Sequence, residues 1–74
     1  MTMPIAMTKV GERVRVKNVT GGDTVKKHLG ELGIIPGAFV TVVQTMNGSL
    51  IVGVHDSRIA INDDLARRIM VEPA

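Results

Sequence analysis

The chain has no cysteine, tryptophan or tyrosine, and Phe39 is its single aromatic residue. Without cysteine there can be neither disulfides nor thiolate metal sites, two devices that commonly support a domain as short as 74 residues. One phenylalanine cannot build the stacking platform on which single-stranded nucleic-acid binders hold their bases. Long apolar runs are missing too: Gly or Pro interrupts each one well short of the ~20 residues that cross a bilayer. The opening Met1-Thr2-Met3-Pro4-Ile5-Ala6-Met7 has neither the basic start nor the apolar length of a signal peptide. The expected location is therefore the cytoplasm, and the sequons at Asn18 and Asn47 are chance matches.

What is present has the balance of an ordinary globular protein, with 45% hydrophobic and 22% charged residues. The net charge of +2 excludes a polycation but not a local basic face. A chain this short forms one domain, 1–74, and buries only about 60% of its unfolded surface. Val, Ile, Leu and Met must fill its core. Residues 1–7 are expected to be poorly ordered, which with one core methionine accounts for Met1, Met3 and Met7.

Lys9-Val10-Gly11-Glu12 reads as a lead-in turn, and Arg13 to Val19 then alternates basic and apolar residues, the pattern of a half-buried strand. Gly21-Gly22 ends it, and Asp23 or Thr24 can cap a helix whose Val25, Leu29 and Leu32 share one face. Gly33 suits the left-handed position after the helix, and Pro36 prevents its continuation. Phe39–Met46 and Leu50–Val54 are rich in β-branched residues and joined by Asn47-Gly48, a strong hairpin signal. After a turn at His55-Asp56-Ser57, Arg58–Ile61 is another strand. Asn62 caps one turn, Asp63-Asp64-Leu65-Ala66, and Arg68–Val71 closes the chain. Five short strands, one short helix and tight turns predict a mostly β fold, a small SH3-like barrel. A five-stranded oligonucleotide-binding barrel is the nearest competitor, but its strands are longer and its helix falls between the third and fourth.

Catalytic groupings are absent. His55-Asp56-Ser57 holds the letters of a triad, yet neighbours on one turn cannot meet in triad geometry, so no enzyme is expected. His28 and Glu31, at i and i+3, are the candidate metal ligands, and they would need a third from His55 or from Asp63-Asp64. The simpler account is a solvated pair, so no cofactor is required beyond a weakly held divalent metal, and a direct transition-metal-ion-binding module is the alternative function. The clusters Arg13/Arg15/Lys17, Lys26/Lys27 and Arg67/Arg68 could track phosphates, but acidic residues are interleaved with them. Nucleic-acid binding is thus a second alternative and not the expected role. An interaction module remains. Ile35 is a large apolar residue on a surface turn, rimmed by Lys26, Lys27 and Glu31, as a partner-binding patch would be. The competing account buries both Ile34 and Ile35 beneath the turn. Self-association through the hairpin edge or the Ile35 turn is also compatible with so small a core.

Three stretches together resemble the ferrous-iron transport protein A (FeoA) family. They are Lys9-Val10-Gly11-Glu12, then Leu29-Gly30-Glu31-Leu32-Gly33-Ile34-Ile35-Pro36-Gly37, then Ile59-Ala60-Ile61 with Ala66 and Ile69-Met70-Val71. The resemblance runs from Lys9 to Glu72. The family often has Arg where this chain has His28, Pro where it has Ser49, and Arg where it has Asn62. A partner contact made by those arginines in relatives would be altered here, or made by Lys27 or Arg58. The resemblance implies a small cytoplasmic accessory protein of ferrous-iron uptake. Its implied partner is ferrous-iron transport protein B, a membrane transporter with a cytosolic GTPase domain; the chain itself is not embedded in the membrane. The candidate partner surface is Lys26, Lys27, Leu29, Gly33, Ile35, Pro36 and Arg58. The same fold occurs as the C-terminal domain of metal-dependent repressors, whose helix-turn-helix this chain lacks.

Overall fold

The computed structural model describes residues 1–74. Strand β1 (Met3–Pro4) leads into a 3-10 turn (Ile5–Met7), followed by β2 (Arg13–Val19) and helix α1 (Asp23–Glu31). Next come β3 (Phe39–Met46), β4 (Ser49–Val54), β5 (Ser57–Asn62), helix α2 (Asp63–Arg68) and β6 (Ile69–Pro73). All pairings are antiparallel, in the order β1-β6-β2-β3-β4-β5. Register shifts after Val16 in β2 and after Val42 in β3 insert bulges, which bend the sheet around its inner face.

Alternation sets what that inner face contains. Val14 and Val16 of β2, Val40 and Val42 of β3, and Leu50, Val52 and Val54 of β4 are buried, with their neighbours turned outward. With Ile5, Val19, Leu29, Ile34, Ile61, Ala66, Ile69 and Val71 they form one core of 15 buried residues, without a single aromatic ring. The mostly β SH3-like barrel expected from the sequence is the observed architecture.

The helix exit is a Schellman motif. Gly33 has φ +90°, its N–H donates to Gly30 O at 3.0 Å, and the Ile34 N–H donates to Leu29 O at 2.9 Å. Leu29 and Ile34, the residues this motif brings together, are both in the core. Asn47 and Gly48 both have positive φ between the paired Met46 and Ser49, as a two-residue hairpin requires. The lead-in turn is tied to β3: Gly11 N–H donates to Val42 O at 2.7 Å, and Val42 N–H to Glu12 O at 3.0 Å.

Three details differ from the sequence expectation. Residues 3–7 take regular structure: β1 pairs with β6, Ile5 is 1% exposed, and the buried Thr8 hydroxyl donates to Ile5 O at 2.7 Å, while Met1 stays exposed. A two-residue strand has too little pattern to show in a sequence, and its pairing is entirely non-local. The N-cap of α1 is Gly22, without a side-chain bond, and Asp23 stands instead in the first turn, where its charge faces the positive helix end. The turn after Asn62 continues to Arg68 as α2, helped by the i,i+4 pairs Asp63–Arg67 and Asp64–Arg68. The expected cap is present, Leu65 N–H donating to Asn62 Oδ1 at 2.9 Å.

Two glycines on α1 and its exit should respond in opposite directions. A Cβ at Gly30 would meet only Ile35 Cγ2, at an ordinary 3.8 Å. Gly30→Ala is expected to raise the unfolding free energy in urea by about 0.5–1 kcal/mol. A Cβ at Gly33 would sit 3.2 Å from Val54 Cγ1 at a left-handed φ, so Gly33→Ala is expected to lower it by about 1–3 kcal/mol. Ile5→Ala tests the N-terminal anchor, with an expected loss of about 2–4 kcal/mol; an unchanged midpoint would detach this segment from the core.

Candidate functional site

Immediately past the Schellman motif the chain reverses again. Pro36 and Gly37 are the central residues of a β-turn closed by Ala38 N–H donating to Ile35 O at 3.0 Å; Gly37, with φ +93°, supplies the positive angle of a type II turn. This turn is anchored to β2 from both sides, Gly37 N–H donating to Val16 O at 2.8 Å and Val16 N–H to Ala38 O at 2.9 Å. Ile34 is consequently buried, whereas Ile35 is held out with 51% of its surface exposed. The two isoleucines therefore divide the accounts between them: one is core, the other surface. Beside Ile35 lies a cleft of about 170 Å³, lined by Asn18, Val19, Lys26, Ile34, Ile35 and Pro36. It joins an apolar wall to one ammonium group, and no carboxylate pairs with that group.

The other candidates are distributed differently. Leu29 is 0% exposed and belongs wholly to the core, which corrects its inclusion in the partner surface. Gly33 acts through its backbone, by permitting the reversal against Val54. Lys27 is exposed on α1 but does not line the cleft, and Arg58 stands on β5 opposite Gly53, also outside it. His28 and Glu31 are both exposed, and no ion pair joins them. Asp63 and Asp64 are paired with arginines of α2, and no three His, Asp or Glu side chains are grouped to hold an ion. His55 and Asp56 form the two-residue turn between Val54 and Ser57, with φ +56° at His55.

Two features had no local signal in the sequence. Asn18 and Val19 reach the cleft because β2 ends beside the helix exit, a tertiary placement. The Arg13 guanidinium lies over the Phe39 ring, 4.5 Å from its centroid, which depends on the register between β2 and β3. No helix is long and apolar enough to cross a membrane.

Residues 3–73 match the FeoA domain family. "Putative Fe(2+) transport protein A" of Methanocaldococcus jannaschii is 39% identical over 71 residues, covering 96% of this chain and 87% of that protein. The crystal structure of an iron uptake regulatory protein (FeoA) superposes with a TM-score of 0.92 at 34% identity, covering 100% of this chain and 99% of that one. A manganese-dependent transcriptional repressor has a TM-score of 0.90 at 13% identity, across 99% of this chain and 42% of its own, a likeness of fold alone. From its lead-in turn to its closing strand, this chain belongs to the FeoA family.

Proposed function

We infer that this protein is a cytoplasmic accessory component of ferrous-iron uptake that acts without catalysis, by contact with the cytosolic GTPase part of ferrous-iron transport protein B. Family membership supports the general role, and two similar proteins carry iron transport or iron-uptake regulation in their names. The observation that carries the contact is the Ile35–Pro36 turn. It presents a large apolar side chain on a turn held by three backbone hydrogen bonds, next to the cleft and the unpaired Lys26. An exposed apolar group on a rigid support costs little entropy to bury, which is what a binding hot spot needs.

Amide shifts of isotope-labelled protein on titration with that GTPase domain test the contact. The expected response is confined to Asn18, Lys26, Gly33, Ile35 and Gly37. Ile35→Glu should leave thermal unfolding within a few degrees, because the side chain is half exposed, yet weaken binding by about tenfold or more. An unchanged affinity in that variant would overturn the assignment of this turn. A silent titration, with divalent iron alone moving the amides around His28, would replace partner contact by direct metal binding.

A further inference from the structure

The outer face of the sheet carries a second groove, built of other residues. One row of paired positions crosses four strands as Arg13, Thr41, Gly53 and Arg58. Gly53 contributes no side chain, so the row dips at its centre. A groove of about 410 Å³ opens there, lined by Arg13, Gly37, Ala38, Phe39, Thr41, Gly53 and His55 without a carboxylate, and Arg58 stands one strand beyond its lining, opposite Gly53. The Arg13 guanidinium is held at the rim by the Phe39 ring beneath it. Neither Arg13 nor Arg58 has an ion-pair partner. Nearby on the same face, Arg15 and Lys17 share a single carboxylate, Glu72, each at 3.8 Å. On the strands themselves these four cations stand against one acid, Glu72, while Asp56 lies exposed on the turn beside His55.

The spacing of the two free arginines selects a ligand. They are three strand separations apart, about 14 Å along the sheet at ~4.8 Å each. An extended chain advances about 3.3 Å per residue and returns to the same face every second residue, so positions i and i+4 match that span. We propose that this groove docks an extended acidic segment of a protein partner, with carboxylates four residues apart on Arg13 and Arg58 and the intervening backbone over Thr41 and Gly53. The bare Gly53 floor lets a backbone approach closely. Charge complementarity favours an acidic chain, and a peptide is favoured over nucleic acid because the one aromatic ring already has Arg13 on its face and offers no free platform there. The groove adjoins the Ile35 turn through Gly37 and Ala38 but shares no lining residue with the cleft beside Ile35, so shifts at Thr41, Gly53 and Arg58 distinguish it from that site.

The test is an amide-shift titration with a blocked threonine-rich peptide carrying two glutamates four residues apart. Shifts are expected at Thr41, Gly53, His55 and Arg58, shrinking as salt is raised. Arg13→Ala and Arg58→Ala should each weaken binding about fivefold. Gly53→Ala keeps every charge, and its Cβ would meet Val43 Cγ2 at 3.6 Å and Thr41 O at 3.8 Å, ordinary contacts that leave the fold intact. It should still weaken binding about fivefold by filling the floor. The glutamine version of the peptide should not bind, and glutamates three residues apart, on opposite faces, should bind less well. Equal binding of the glutamine peptide, or no effect of Gly53→Ala, would overturn the proposal. Tighter binding of an oligothymidylate at the same amides would overturn it in favour of nucleic acid.

Discussion

The close approach of Gly33 to Val54 is the constraint on which the rest of this small domain depends. A Cβ there would lie 3.2 Å from the valine methyl. Because that position is bare and left-handed, α1 can stop against β4, drop Leu29 and Ile34 into the core, and hand the chain to the turn that begins β3. The same compact reversal pushes Ile35 outward, so the exposed apolar group results from how the core is closed and not from a separate loop.

A core of aliphatic side chains suits this geometry. Valines on three adjacent strands pack on a tightly bent sheet where an aromatic ring would need a broader space. Polar demands inside are few, and the one buried polar residue, Thr8, satisfies its hydroxyl locally on Ile5 O. Electrostatics is displaced to the surface: α2 pairs its own charges along the helix, whereas the sheet face carries more cations than acids.

Much of this fold was legible because its signals are local. The alternation in Arg13–Val19, the Asn47-Gly48 hairpin, the Asn62 cap and the Gly33 reversal each depend on a few consecutive residues. The β1 strand was not legible, since two residues show no period and its partner, β6, lies at the other end of the chain. The candidate site was half legible. Ile35, Pro36 and Lys26 could be named from the turn and the helix, but exposure had to divide Ile34 from Ile35 and remove Leu29. The groove over Gly53 could not be read at all, because it arises from register across four strands.

The pairing of Met3 with Val71 joins the first strand to the last. Entry into the domain and exit from it therefore lie side by side at one edge of the sheet, away from the Ile35 turn in the chain path. A polypeptide that held this unit between flanking segments would be interrupted by little more than the width of one strand pair. The architecture is thus suited to transplantation: it can hang from a larger protein on a narrow stalk, and its fold recurs within a repressor of which it spans 42%.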